Sequence, residues 1–298
     1  MKLKHIIKLL AILFITVSCK NKSDLQTNKE DAWKLGWRVI ASSMHENYRL
    51  ASLQFDSLRI LADTIDIKYL VAGLEAKSKA GKDDEISEIL STRDQSTLAE
   101  VCTRKFLASY VECQNHIVEE VANPELQQEI ITMYVNDQAV RGNLMEDVIN
   151  HFNIDSATII KSGGVEVDKR NRAKLKEIIA NHGFPTSKLV GKSAVHGMFL
   201  IIQHSDGDKE WQKSQLSYIE AAVRNGDLDG QSYAYLYDRV KINSGQKQLY
   251  GTQFSNVDPI NRIVELAPTE DIENLDRRRM EIGMMPILMY KNFMLENL

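Results

Sequence analysis

From residue 31 to about residue 121 the apolar side chains recur every third or fourth position with almost no interruption. That spacing commits the front of the chain to amphipathic helices. Trp33, Trp37, Ile40 and Met44, then Leu50, Leu53, Leu58 and Leu61, trace two such stripes. A second pair follows, through Tyr69, Ala72, Gly73 and Ala76, the turn Ala80-Gly81, and Ile86, Ile89 and Leu90. The stretch 97–122 reads as one long helix with Leu98, Cys102, Phe106, Tyr110, Cys113 and Ile117 on one side, ended by Asn123-Pro124. On a single straight helix Cys102 and Cys113 would stand roughly 16 Å apart, beyond the ~7 Å that a disulfide spans, so buried free thiols are expected. Five prolines and 15 glycines in 298 residues leave too few turns for an all-β chain.

Beyond Pro124 the texture changes to shorter segments. Helices are predicted over 126–141, 145–152, 168–182, 192–204, 209–225 and 230–239, then 271–283 and 287–297. Residues 240–243 and 248–250, around Ser244-Gly245, read as a β-hairpin, with 262–266 as a third strand. The predicted fold is therefore mainly α, with N-terminal helical hairpins followed by a compact helical domain carrying one small antiparallel β-ribbon. The divisions are a signal peptide 1–18, a polar tether 19–30, a hairpin domain 31–123 and a C-terminal domain 124–298. The two hairpins align with Gly36 over Gly73 and resemble tetratricopeptide-type repeats, in which small residues let antiparallel helices approach closely. That likeness implies a protein partner on the hairpins.

The N-terminus indicates a destination. Lys2, Lys4 and Lys8 precede an apolar core over 9–17, and Ser18-Cys19 follows. This is a secretory signal, too short to remain as a membrane-spanning helix. Thr16-Val17-Ser18-Cys19 resembles the lipobox of bacterial lipoproteins, although Thr16 stands where leucine is usual. The likeness implies acylation of Cys19, a lipid bilayer as partner, and a cell-envelope location facing the periplasm or the exterior. Loss of residues 1–18 removes three lysines and no acid, taking the formal charge from −4 to −7. A chain this acidic has no surplus of cations for nucleic-acid phosphates, so no nucleic-acid partner is expected.

The common catalytic strings are missing. Gly191-Lys192-Ser193 mimics the end of a phosphate loop, but Thr186 occupies the place of its first glycine. His45-Glu46 has no second histidine a turn later, and no Gly-x-Ser-x-Gly elbow or dinucleotide fingerprint occurs. Seven histidines, at 5, 45, 116, 151, 182, 196 and 204, show no metal-ligand spacing. Neither a metal nor a cofactor is expected.

A different set of residues stands out from 126 to the end. Asp137-Gln138 with Arg141 opens it, followed by Asn171 and Leu175, Gly183-Phe184-Pro185-Thr186, Val190-Gly191 and Ile201-Ile202-Gln203-His204-Ser205-Asp206. Tyr235-Leu236-Tyr237-Asp238-Arg239-Val240, Tyr250-Gly251-Thr252-Gln253 and Asp276 to Arg279 with Gly283 and Pro286 complete it. In this order they resemble an uncharacterised bacterial family, domain of unknown function 6624, and the likeness implies no particular activity.

Physically, a histidine at the end of an apolar helix is suited to proton transfer near neutral pH, and equally to capping that helix. His204, Asp206 and Asp238 are the catalytic candidates. Gln203, Arg239, Tyr250, Gln253 and Arg278 are the ligand-binding candidates, and Cys19 is the lipidation site. Tyr233, Tyr235 and Tyr237 form either a platform for a sugar or peptide, or packing. Such a set suits binding, with or without hydrolysis or transfer, of a small polar or anionic ligand. The competing expectation is a non-catalytic adaptor that works through its N-terminal hairpins.

Overall fold

The computed structural model describes residues 22–114 and 120–296. The signal segment, Cys19, Ile117 and the last two residues lie outside the described residues. The chain is mainly helical, with one two-stranded antiparallel sheet.

The front half comprises α1 (Lys22–Met44), α2 (Tyr48–Leu61), α3 (Ile67–Lys79) and α4 (Asp83–Ser91), paired by short turns into two helical hairpins. Helix α1 already covers most of the stretch read as a tether, because its polar composition does not prevent helix formation. Asn47 and Asp66 cap α2 and α3 by accepting the backbone N–H of Leu50 and Lys68. The aligned glycines do mark close approaches. A Cβ at Gly36 would lie 2.5 Å from the Tyr69 ring, and one at Gly73 closer still to the Phe55 ring. Trp33, Trp37, Phe55, Leu70, Leu74, Ile86 and Leu90 form the core between these helices.

Inside it lies Lys77, with no exposed surface, whose Nζ sits 2.6 Å from Asp56 and also pairs with Glu85 at the start of α4. The hydrogen bond from Lys77 is the main reason the Glu85 carboxyl is held below its ordinary value of 4.5. The folded chain therefore takes up this proton less readily than the unfolded chain. The resulting stability is present above pH 4.5 and is lost as pH falls through the folded value. Glu85→Gln is expected to flatten this part of the acid-unfolding curve, read as melting midpoint from pH 6 to pH 3; an unchanged slope would remove the Lys77 pair as its cause.

The predicted long helix over 97–122 does not form. It is replaced by α5 (Gln95–Val101), a 3₁₀ turn at Lys105–Leu107 and α6 (Val111–Gln114). Arg104 adopts an extended conformation between them, so the chain folds back. Cys102 and Cys113 come within 5.1 Å, Cα to Cα, and are joined as a disulfide, contrary to the expectation of free thiols. Periodicity alone cannot tell one long helix from short turns that fold around a cross-link, and Thr103, Ser109 and the cysteines are poor helix formers.

Asn123 caps α7 (Pro124–Ala139) through the N–H of Leu126, with Pro124 at the first position, where its missing N–H costs nothing. There follow α8 (Glu146–His151), α9 (Gly164–His182), α10 (Ser187–Val190), α11 (Lys192–Gln203), α12 (Lys209–Ser214), α13 (Leu216–Arg224) and α14 (Gly230–Asn243). Helix α11 is apolar almost all round and occupies the centre, packed by α7, α9 and α14. Val195, Met198, Phe199 and Ile202 meet Ile130, Tyr134, Leu175 and Leu236 there.

The β-ribbon is displaced from its predicted place. Residues 240–243 are the last turn of α14, which Asp229 caps through Ser232, and the strands are β1 (Phe254–Asp258) and β2 (Ile263–Leu266). The β-branched alternation of Val240 and Ile242 is overridden because a helix here buries Leu236, Asp238 and Val240 together. Of the predicted strands, only the one over 262–266 corresponds to an observed strand. The chain ends in α15 (Leu275–Glu281) and α16 (Ile287–Glu296), which return to the front half. Met280 joins the N-terminal core, Trp33 Nε1 donates to the Met284 carbonyl (2.7 Å), and Lys68 Nζ donates to that of Gly283 (2.8 Å). Among the described residues no helix is long and apolar enough to cross a membrane.

Candidate functional site

The C-terminal end of α11 delivers His204 to a carboxylate that sequence reasoning did not assign to it. The Nδ1 of His204 lies 2.9 Å from each carboxylate oxygen of Asp137, which stands on α7 and is 1 % exposed. Asp137 also accepts from Gln138 Nε2 (2.9 Å) and Arg141 Nη1 (3.2 Å). Arg141 in turn sets Nη2 2.9 Å from both oxygens of Asp168 on α9. A carboxylate can only accept, so Nδ1 carries the proton in this pair and Nε2 of a neutral ring keeps its lone pair. The imidazole retains 18 % of its surface. The pairing of Asp137 with Arg141 was readable from their i,i+4 spacing; the pairing with His204, 67 positions away in sequence, was not.

Asp206 lies one turn beyond the helix and forms a second cluster. It accepts from Arg239 Nη1 (2.7 Å), Gln212 Nε2 (3.2 Å) and Asn243 Nδ2 (3.2 Å). Gln212 donates as well to the carbonyls of Ile202 and Gln203, closing the end of α11. Gln203 is buried against α14 near the Tyr235 carbonyl, and its own Oε1 has no hydrogen-bond partner among the described residues. Asp208 accepts from Lys176 (2.7 Å), and chiefly for that reason its carboxyl is held below the usual range.

The remaining predicted site residues belong to a third arrangement, in which Asp238 is fully buried. Its carboxylate accepts the backbone N–H groups of Leu249 (2.8 Å), Tyr250 (3.1 Å) and Thr252 (3.0 Å). Burial raises its carboxyl above the ordinary value, and these bonds oppose that without cancelling it. Arg278 is spent on the carbonyls of Leu249, Glu270 and Asp271. Gln253 and Gln248 tie the loop to itself. Gly251 admits the chain's own Leu275: a Cβ there would meet its Cδ2 at 3.1 Å. Arg279, which sequence reasoning passed over, is buried beneath and donates to the carbonyls of Tyr250 and Met285 (both 2.6 Å).

Asp238, Tyr250, Gln253 and Arg278 thus build a loop, and no hydrogen bond joins them to His204 among the described residues. Nor do the three alternate tyrosines share a face. Tyr233 and Tyr237 lie 5.6 Å apart, ring to ring, and pack on Tyr250 at 6.5 and 6.0 Å, while Tyr235 points to Tyr290, hydroxyl to hydroxyl at 3.2 Å. Burial pushes the Tyr233 hydroxyl up to about 12.

Among the described residues no group of three or more His, Cys, Asp or Glu side chains is placed to hold a metal ion. A family model described as a family of unknown function, DUF6624, matches residues 124–297, more than half of the chain. The chain belongs to this family. No curated protein and no solved structure matches it. The matched DUF6624 region contains both the His204–Asp137 pair and the Asp206–Arg239 pair, and it begins at the proline that starts α7.

Proposed function

We propose that the DUF6624 domain binds a small polar or anionic ligand at the C-terminal end of α11, and that His204 takes a proton from that ligand or from water beside it. The observation that carries the reading is the partly exposed imidazole held by a buried carboxylate through both of its oxygens. Asp137 keeps the proton on Nδ1, which leaves Nε2 as the base, and the Arg141–Asp168 pair keeps Asp137 from turning away. In this reading Asp206 and Arg239 orient the ligand beside the base, whereas Asp238, Tyr250, Gln253 and Arg278 shape the loop.

His204→Gln preserves approximate size and hydrogen bonding and removes titration. It is expected to keep the melting midpoint to within about 1 kcal/mol of stability and yet fail to complement a deletion strain. Full complementation by a normally folded variant would defeat the reading.

The same proposal places the chain in a bacterial cell envelope, held by an acylated Cys19. The Cys102–Cys113 disulfide supports an oxidising compartment. Cys19→Ala is expected to move the protein from the membrane fraction to the soluble fraction; unchanged retention would refute the anchor.

One observation favours an adaptor instead. Leu50, Leu53 and Ile60 form an exposed apolar stripe along α2, with Ile60 89 % exposed. On tetratricopeptide-like hairpins such a stripe would meet a protein partner. Normal complementation by His204→Gln, together with its loss in Ile60→Asp, would select that reading.

A further inference from the structure

Methionine gathers near the end of the chain, at Met280, Met284, Met285, Met289 and Met294, and the fold lays this stretch along the first helix. Trp33 Nε1 meets the Met284 carbonyl at one end, and an equal step further along both segments His45 Nε2 lies 3.3 Å from Glu296 Oε2. Helices α1 and α16 therefore run side by side in the same direction, and their C-terminal ends coincide. A groove of about 340 Å³ opens between them, lined by Met44, Met285 and Met289 together with His45 and Glu296. Met44 is 53 % exposed and Met285 and Met289 are half-buried, so the groove is open to solvent.

The C-terminal end of a helix carries partial negative charge, which Lys or Arg in the last turn offsets. Neither α1 nor α16 has a basic residue there. Helix α16 instead places Glu296 at its last position, where the carboxylate's one ion pair among the described residues is with His45. Two helix ends and a carboxylate thus meet with no fixed cation between them, an arrangement that a bound cation relieves.

The donors decide which cation. Calcium and magnesium take several oxygen ligands, and zinc takes thiolate, imidazole and carboxylate, whereas thioethers select copper(I). Thioethers stand outside the His, Cys, Asp and Glu sets, none of which forms a metal group among the described residues. A carboxylate only accepts, so in a neutral ring Nε2 of His45 carries the proton toward Glu296 and Nδ1 keeps its lone pair. A metal-bound histidine is held in the same way, with its outer nitrogen on a carboxylate.

We infer that this groove is a binding site for copper(I), separate from His204, with the thioethers of Met44 and Met289 and Nδ1 of His45 as ligands. Met285, one turn behind Met289, is the fourth donor, and Glu296 balances the charge.

The test is a titration of the Cys19→Ala chain in detergent with copper(I), supplied without oxygen as its acetonitrile complex. With Cys102 and Cys113 paired, no free thiol competes in this chain. The methionine methyl resonances read the site. Those of Met44 and Met289 are expected to shift and to saturate at one equivalent, while those of Met133 and Met198, buried in the other core, stay in place. Zinc(II) should leave all of them unmoved. Met44→Leu combined with Met289→Leu keeps the apolar volume and should weaken copper(I) binding by at least about tenfold with the helical circular dichroism retained. His204→Gln should bind copper(I) as the parent chain does. No shift, shifts spread evenly over all methionines, an equal response to zinc(II), or undiminished binding by the double leucine variant would each overturn the assignment. The methyl shifts of the parent chain decide the matter even if the double variant folds poorly.

Discussion

Asp238→Ala is expected to destabilise the protein by about 3–4 kcal/mol, because it strands the N–H groups of Leu249, Tyr250 and Thr252 in the interior. Each unsatisfied donor costs about 1–3 kcal/mol, and relief from burying the carboxylate offsets part of the sum. The loop that these bonds hold also receives Arg279 through the Tyr250 carbonyl, so its loosening should reach α15. Hydrogen exchange is the informative measurement. The amides of Leu249, Tyr250 and Thr252 should lose protection while those of α11 keep it. A variant that is inactive but keeps its full stability and protection would return Asp238 to the catalytic candidates.

Trp37→Ala should cost about 3–5 kcal/mol, the usual penalty for emptying a large aromatic site in a packed core. Trp37 is 7 % exposed and stands edge-on to Tyr69 of α3 at 5.9 Å, with the ammonium of Lys68 5.5 Å from its ring. It is thus a joint between the first helix and the second hairpin. Leu53→Ala, on the exposed side of α2, is the contrast and should change stability by about 0.5 kcal/mol or less. Urea unfolding of both variants tests the pair. Equal small losses would mean that the tryptophan face is not core.

The candidate site was legible only in part. A helix end was read well at the polar end of α11, whereas Asn123-Pro124 starts α7 and does not end the long helix predicted over 97–122. His204 was singled out because a polar side chain at the end of an apolar helix is conspicuous. Its partner was not, since Asp137 lies on another helix and already had an obvious neighbour in Arg141. Asp238, by contrast, looked like an acid beside an arginine. Only the folded loop shows that its oxygens serve three backbone donors while Arg239 turns to Asp206.

By itself the sequence determined the helical class, the two N-terminal hairpins with glycine at their close approaches, and the stretch that forms the DUF6624 domain. These follow from local chemistry: apolar spacing, capping side chains, and the absence of a Cβ where helices touch. Tertiary structure alone decided the disulfide, the placement of the β-ribbon, and which carboxylate meets which cation. Those outcomes depend on where distant segments come to rest. The backbone of residues 102–113 had to fold back before Cys102 could reach Cys113, and α7 had to pack on α11 before Asp137 could meet His204. Pairings across 67 residues are set by the packing of whole helices, and no local spacing encodes them.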